Sequence, residues 1–274
     1  MARIGMVNYI NTAPIYEIWK EEVRNPDWHI VEQPPSTLNR MLAADELDMG
    51  FVSSYEYAAR PDRYHILADL SISATGPVGS VFLFSHHPPT ELDGSRILMT
   101  GQSDTSVYLL RLILEEFLGV RPDYASGDIT GAPAMSPQPA GVLAIGDEAL
   151  HLAMEDRYPY QLDLAEFWNR ETGLPFVFAV FAVREEFVRL HEQHVRAIHQ
   201  ALLGCRQKGL ARLDEICRQV AHRIPMNWGA CRSYLQAMEY DLGDAKQQAL
   251  ERFFSLLIRR GEADPHALPL RIWP

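Results

Sequence analysis

The sequence predicts an α/β protein of two domains that face each other across a cleft. Four short apolar runs each end at a small polar or acidic residue and lead at once into a helix pattern, at residues 4–10, 49–52, 97–99 and 142–145. Such strand-to-helix junctions are typical of parallel βα units. Two segments, His86-His87-Pro88-Pro89 and the apolar run Leu174 to Val183, are interpreted as crossings between domains. Two domains joined by two crossings indicate a hinged binding-protein architecture.

The first domain opens with a strand and a helix from Thr12 to Val23. Pro34 introduces a second helix with an apolar face, and a strand from Asp48 to Val52 follows. A serine three residues before a glutamate then forms the S-x-x-E pattern of a capping box. Two further strands are predicted over Tyr64 to Ile72 and Val78 to Ser85.

A second βα block runs from about Arg96 to Gly173. Its helices are predicted over Thr105 to Leu118 and Asp147 to Met154, and a Pro/Gly-rich connector spans Arg121 to Gly141. Almost all of the sequence from Arg184 to Arg260 has helical apolar spacing. These features assign residues 1–85 and 184–274 to domain I and residues 86–183 to domain II.

The length, charge and cysteine content of the chain limit the kinds of partner and compartment that are expected. A chain of 274 residues can bury two cores, and its formal net charge of −11 argues against broad binding to nucleic acid or to an anionic membrane. The sequence starts with a strand pattern rather than a basic and then apolar leader, and no apolar run reaches transmembrane length, so a cytoplasmic protein is expected. Three cysteines without close pairing suit free thiols in a reducing compartment. The oligomeric state is not predicted.

The junctions themselves predict the ligand. In a parallel sheet the strand-to-helix turns lie at the carboxyl ends of the strands, where helix N-termini present free N–H groups and positive dipole ends. Several such turns aimed at one crevice form an anion site. The expected ligand is therefore a small carboxylate or phosphate, bound by backbone and hydroxyl donors.

Several stretches of the sequence, taken as a set, resemble the chorismate dehydratase family of the futalosine route to menaquinone. The resemblance runs from residue 3 to about residue 184 and is carried by RIGMVNYINTAP at 3–14, LDMGFVSSYEY at 47–57, GPVGS at 76–80, and Trp168 with TGLPFVFAV at 172–180. The sister enzyme 1,4-dihydroxy-6-naphthoate synthase shares that fold but normally starts with a Ser-Pro-Cys-Pro-Asn-Asp type of motif. Residues 7–12 read VNYINT here, which favours the dehydratase.

The resemblance implies a type II periplasmic-binding-protein-like fold with an interdomain cleft, converted to an enzyme. The implied reaction eliminates water from chorismate to give 3-[(1-carboxyvinyl)oxy]benzoate, without a metal or organic cofactor. Chorismate carries a ring carboxylate and an enolpyruvyl carboxylate, which match two anion-binding walls. Because the product is aromatic, the driving force lies in the substrate, and the enzyme must hold the geometry and stabilise developing charge.

Asn11 and Ser80 are the leading candidates in the first domain. Asn11 is interpreted either as a helix-capping or loop asparagine or, by the resemblance, as a catalytic amide that binds the departing hydroxyl or a carboxylate. Ser80 follows two glycines that let a ligand approach the backbone, and the resemblance implies a substrate contact; otherwise it only starts a strand. Ser53 and Ser54 are candidate substrate contacts, although the capping box already explains Ser53.

In the second domain, Ser103, Thr105 and Ser106 resemble the family's hydroxyl-rich loop and are candidate carboxylate contacts. A plain N-cap accounts for only one of the three. Asp104 departs from the family's hydroxyl-rich pattern, because it is an acidic residue beside the proposed anion site. Asp147 is interpreted either as an N-cap or as a catalytic carboxylate that takes the ring proton. The substrate's own enolpyruvyl carboxylate is an alternative base.

Two functions of different classes stay open at this level. One is a carbon–oxygen lyase acting on chorismate, and the other is a non-catalytic cytoplasmic protein that binds a small carboxylate. The fold alone hosts both. Turnover of chorismate distinguishes them.

Overall fold

The computed structural model describes residues 1–129, 132, 135, 137–155, 157–224 and 226–274. Its strands are β1 Ala2–Met6, β2 Trp28–Glu32, β3 Met49–Ser53, β4 Tyr64–Ala74, β5 Val81–Ser85, β6 Arg96–Thr100, β7 Asp123–Gly127, β8 Gly141–Ile145, β9 Tyr160–Asp163, β10 Phe176–Arg184 and β11 Ile272–Trp273. Its α-helices are α1 Ala13–Glu22, α2 Pro35–Ala43, α3 Ser54–Ala59, α4 Asp104–Leu112, α5 Gly146–Met154, α6 Leu164–Thr172, α7 Glu185–Ala211, α8 Leu213–Val220, α9 Trp228–Ala237 and α10 Asp244–Arg259. Part of the predicted connector between Arg121 and Gly141 lies outside the described residues.

The strands form two mixed sheets, one in each lobe of the molecule. The six-stranded sheet of the first lobe has the order β11-β4-β10-β3-β1-β2, and the five-stranded sheet of the second has the order β7-β6-β8-β5-β9. The predicted βα junctions supply the parallel pairs, because β1 runs parallel to β2 and β3, and β6 runs parallel to β7 and β8. β10 lies antiparallel between β3 and β4. The α/β prediction with two lobes is confirmed.

Both crossings between lobes lie earlier in the chain than predicted. β5 pairs with β8 and β9, so the first crossing falls between Ala74 and Val81 rather than at residues 86–89. β10 already belongs to the first sheet, so the second crossing precedes Phe176. Glycines with positive φ turn the chain there, Gly76 and Gly79 at the first crossing and Gly173 at the second. The sheet that a strand joins is decided by distant partners, which strand patterning does not reveal.

The C-terminal helices complete the first lobe. α7 packs along α1, while α10 lies against β10. Cys205, Cys217 and Cys231 are free and buried, as expected for unpaired thiols in helical sequence. Among the described residues, no helix combines the length and the apolar character needed to cross a membrane.

Ion pairs fasten the second lobe to the end of α10. α4 continues into a π-helical turn, Ile113–Phe117, which carries Glu115. The guanidinium of Arg260 bonds the carboxylates of Glu115 and Glu262, and Arg111 bonds Glu262 at 2.8 Å. Burial raises the pKa of the Glu115 carboxyl, but the hydrogen bond and charge of Arg260 outweigh it, so the pKa is lowered overall.

This pair predicts a pH-dependent contribution to stability. A carboxyl whose pKa is lower in the folded state stabilises above its unfolded pKa of about 4.3, and the contribution disappears as the pH falls through the folded pKa. We expect Arg260→Ala to lower the free energy of unfolding by about 1–2 kcal/mol at pH 7 and to lose less stability than the unmodified protein on acidification to about pH 4.

Urea unfolding at several pH values measures this effect. Arg259→Ala is the control, since Arg259 is the exposed preceding residue on the same helix. If the Arg260 and Arg259 variants have the same stability at every pH, the ion pair contributes nothing.

Candidate active site

A cavity opens between the two lobes at the carboxyl ends of β1, β3, β6 and β8. It contains about 630 Å³ of empty space, including the part open to solvent. Apolar and aromatic residues and one glycine form most of the wall, namely Val7, Tyr9, Pro35, Phe51, Val52, Ile72, Val78, Val81, Ile145, Gly146, Phe178, Ala179 and Met238.

The polar part of the wall comes largely from the predicted residues. Five of the eight candidates line the cavity together with Thr12: Asn11, Ser53, Ser80, Ser103 and Ser106. They lie at the carboxyl ends of β1, β3 and β6 and at the start of β5. Ile145 and Gly146 at the end of β8 also line the cavity, so the four predicted junctions meet at one cleft. The described lining contains no lysine, arginine or histidine. An anion bound here would therefore be held by uncharged donors and helix dipoles.

Asn11 lies in a 3₁₀ turn, Ile10–Thr12, between β1 and α1. The hydroxyl of Thr12 donates to the carbonyls of Val7 at 2.6 Å and of Tyr9 at 2.8 Å, which holds the turn in place. The N-cap of α1 is Thr12, so the interpretation of Asn11 as a helix cap is wrong. The Asn11 Oδ1 atom is buried and has no hydrogen-bond donor among the described residues. Its amide is therefore available to a ligand.

Ser53 combines a capping role with a position on the cavity wall. Its hydroxyl oxygen accepts from the Glu56 backbone N–H at 3.3 Å and from Asn39 Nδ2 at 2.9 Å. The reciprocal half of the predicted capping box is absent, because the Glu56 carboxylate instead accepts from Arg60 and Tyr64. The capping interpretation of Ser53 is thus confirmed without excluding a ligand contact.

Asn39 also contacts Asp104, the acidic residue of the second lobe that departs from the family's hydroxyl-rich pattern. Its Nδ2 donates to the Asp104 carboxylate at 3.1 Å, which links α2 to the start of α4. The Asp104 charge is thereby engaged by a donor from the opposite lobe.

Ser54 and Thr105 lie behind the cavity wall, contrary to the prediction that they contact substrate. Both are fully buried. The Ser54 hydroxyl donates to the Val177 carbonyl at 2.9 Å and lies 3.3 Å from Thr105 Oγ1, which accepts from the Tyr55 backbone N–H at 2.9 Å. Tyr55 also stacks on Tyr108 of α4. These two hydroxyls join the lobes, because their hydrogen bonds connect α3 with α4 and with β10.

Ser103 and Ser106 form the first turn of α4. Ser103 is the N-cap and accepts from the Ser106 backbone N–H at 3.3 Å, and the two hydroxyl oxygens lie 3.1 Å apart. Both hydroxyls line the cavity at the positive end of the helix dipole. Of the three predicted hydroxyl residues, Ser103 and Ser106 line the cavity and Thr105 does not.

Asp147 lies in the first turn of α5, which starts at Gly146 after an N-cap at Ile145. Its interpretation as an N-cap is therefore wrong. The carboxylate accepts from the Ile10 backbone N–H, and its Oδ1 atom is buried without a donor among the described residues. Burial raises the Asp147 pKa. Asp147 is not among the lining residues; it supports the turn that carries Asn11.

Tyr9 and two tyrosines of the C-terminal region were not predicted. The Tyr9 hydroxyl bonds Gln102 of the second lobe, and burial raises its pKa to about 12. Tyr234 donates to Ser80 Oγ at 2.9 Å, and Tyr240 donates to the Asn11 carbonyl at 2.9 Å. Tyr9 stands inside a stretch that carries the family resemblance, which could have drawn attention to it. A tyrosine on the apolar face of a helix is normally a core residue, so the local sequence gives no indication that Tyr234 contacts a residue of the cavity.

The fold and the site together define a molecule with a periplasmic-binding-protein-like fold and a cavity between its two lobes. Its structure is similar to that of the periplasmic aliphatic sulphonate binding protein SsuA from Escherichia coli, with a TM-score of 0.67 and 14% sequence identity over 100% of this chain and 92% of that one. A family model described as menaquinone biosynthesis matches residues 2–259. The chain belongs to that family, and within it to the chorismate dehydratases.

One relative of each of the two enzymes can be compared with this chain. A chorismate dehydratase of Thermus thermophilus is 32% identical over 93% of this chain and 94% of its own length. A 1,4-dihydroxy-6-naphtoate synthase of the same organism is 27% identical over 85% of each chain. The difference in identity and coverage agrees with the ranking that the N-terminal motif predicts.

Proposed function

We propose that this protein is a hydro-lyase that converts chorismate to 3-[(1-carboxyvinyl)oxy]benzoate in the futalosine route to menaquinone. The observation that carries the proposal is the convergence of Asn11, Ser80, Ser103 and Ser106 on one uncharged cavity in a chain of this family. A relative that is 32% identical over 93% of this chain is named as a chorismate dehydratase. A non-catalytic binding protein finds no specific support here.

The proposed reaction removes the ring hydroxyl and a neighbouring ring proton as one water molecule. The ring carboxylate stabilises the charge that develops when the proton leaves, and the ring becomes aromatic when the C–O bond breaks. Fixed donors suit this reaction because they stabilise developing charge without reorganising. We assign one carboxylate of the substrate to Ser80, at the first crossing between the lobes, and the other to Ser103 and Ser106, at the start of α4.

Asn11 is assigned to the departing hydroxyl. Among the described residues, the Asn11 Oδ1 atom has no hydrogen-bond partner, and the NH₂ group of the same amide supplies two donors. An amide can donate to the leaving oxygen while it accepts from a substrate hydroxyl. Because most of the cavity wall is apolar, such a donor acts in a lower local dielectric than water, where its interaction with developing charge is stronger than in solution.

The base that removes the ring proton is assigned to the substrate's enolpyruvyl carboxylate rather than to Asp147. The Asp147 carboxylate is committed to the Ile10 N–H and stands outside the lining. We expect Asp147→Asn to keep kcat within about tenfold, since an asparagine oxygen can still accept from that N–H. Steady-state kinetics test this assignment. A loss of kcat of about a thousandfold would make Asp147 the base.

The activity is tested by incubating purified protein with chorismate and separating the products by liquid chromatography with mass detection. The expected product is aromatic and lacks one water. The same assay after dialysis against a chelator tests the expectation that no metal is needed. Binding of chorismate in calorimetry without any product would favour the non-catalytic alternative. Cytoplasmic location, expected from the sequence, stays a prediction that cell fractionation tests.

A further inference from the structure

The C-terminal helices reach the cavity as well as covering the first lobe. Met238, just after α9, lines the cavity, and Tyr234 of α9 bonds the Ser80 side chain. Tyr234 is 8% exposed and Ser80 is 1% exposed. A buried hydrogen bond therefore joins a helix of the first lobe to a serine at the first crossing between lobes.

The backbone of Ser80 is held from the second lobe. The preceding Gly79 has φ of 71° and donates its N–H to the Asp163 carboxylate at 2.7 Å. The Ser80 carbonyl accepts from the Gly146 N–H at 2.7 Å. The backbone contacts fix where the Ser80 hydroxyl lies but leave its proton free to rotate.

A serine hydroxyl has one proton and two acceptor lone pairs. The Tyr234 O–H occupies one of the lone pairs, so the Ser80 proton must find its acceptor elsewhere. No described protein group accepts from Ser80 Oγ, and the side chain lines the cavity. The remaining acceptor is a bound ligand, and a carboxylate oxygen fits because it accepts without competing as a donor.

We infer that Tyr234 is a positioning residue that orients the Ser80 hydroxyl so that its proton points at a carboxylate of the bound substrate. This role rests on the proposed function. When the Tyr234 hydroxyl donates a hydrogen bond to the serine oxygen, it also polarises the serine O–H and strengthens the hydrogen bond from that O–H to the carboxylate. The C-terminal region thus contributes to substrate binding through a residue that does not touch the substrate.

The phenol of Tyr234 is a dependable donor. Burial raises its pKa, and the charge of Asp147 raises it further, against a smaller lowering by the Ser80 hydrogen bond. The hydroxyl therefore stays protonated at neutral pH.

Tyr234→Phe removes only the hydroxyl and keeps the ring. We expect KM for chorismate to rise about tenfold, with kcat changed by less than about threefold, because the Ser80–carboxylate bond forms in the ground state and persists in the transition state. Tyr64→Phe is the matched control. The Tyr64 hydroxyl is also buried and donates at 2.9 Å to a side chain, that of Glu56, but it stands away from the cavity. Tyr64→Phe should lower the melting temperature and leave KM unchanged.

A double-mutant cycle shows whether Tyr234 acts through Ser80. In a Ser80→Ala background, Tyr234→Phe should change KM by less than about twofold, since the group it orients is gone. Additive effects of the two substitutions, or an unchanged KM in Tyr234→Phe, would overturn the inference while leaving the proposed function intact. An unmodified protein that turns over no chorismate would overturn the proposed function and this inference with it.

Discussion

Asn11→Ala is expected to lower the rate of chorismate dehydration by about a hundredfold, the usual scale for losing one preorganised donor to developing charge. Folding stability should change little, because the side chain caps no helix and its Oδ1 has no donor among the described residues. The contacts that hold the turn come from Thr12 and Tyr240 and survive the substitution. kcat, KM and the melting temperature are measured on the same preparation.

Asn11→Asp tests the charge requirement more sharply. It keeps the size of the side chain but replaces the NH₂ donors by a negative charge beside a dianionic substrate, so both binding and turnover should suffer. Asn8→Ala is the control in the same segment, since Asn8 is exposed and its amide bonds Glu32 outside the cavity. If Asn11→Ala dehydrates chorismate at the unmodified rate and only its melting temperature falls, Asn11 has a structural role alone.

Gly209→Ala is expected to destabilise the protein by about 3 kcal/mol, because the added methyl group overpacks a closed contact. A Cβ at Gly209 of α7 would lie 1.6 Å from the carbonyl oxygen of Pro14 in α1. Backbone atoms cannot move aside as a flexible side chain does, so the two helices must separate. Pro14 stands three residues after Asn11, and we therefore expect the dehydration rate to fall as well.

Gly204→Ala is the matched control on the same helix. A Cβ there meets nothing within 4 Å, and alanine is the better helix former by up to about 1 kcal/mol. That variant should be as stable as the unmodified protein or slightly more so. Urea unfolding of both variants measures the difference. If the two variants have equal stability, α1 and α7 can move apart without a loss in the free energy of unfolding.

Local features of the chain were predictable because local chemistry determines them. The strand ends before Asn11, Ser53 and Ser103 follow from apolar runs that stop at polar residues, and parallel pairing brings such ends to one side of a sheet. The cap at Ser53 was readable from its spacing to Glu56. Convergence of these positions needed only the assumption that both sheets are built from βα units.

Features that depend on distant partners were not predictable in the same way. β5 and β10 have ordinary strand patterns, and only their pairing shows which sheet each joins. Ser54 faces away from the cavity because its hydroxyl finds the Val177 carbonyl, more than a hundred residues along the chain. The hydrogen bond between Tyr234 and Ser80 likewise joins residues far apart in sequence.

The central claim is that this cavity removes water from chorismate and leaves the enolpyruvyl group in place. The proton NMR spectrum of chorismate incubated with the unmodified protein, recorded beside Asn11→Ala, tests it most directly. We expect the signals of the non-aromatic ring to be replaced by those of a 1,3-disubstituted benzene ring while the vinyl signals persist, at a rate that Asn11→Ala lowers about a hundredfold. An unchanged spectrum, or loss of the vinyl signals as the ring becomes aromatic, would contradict the account.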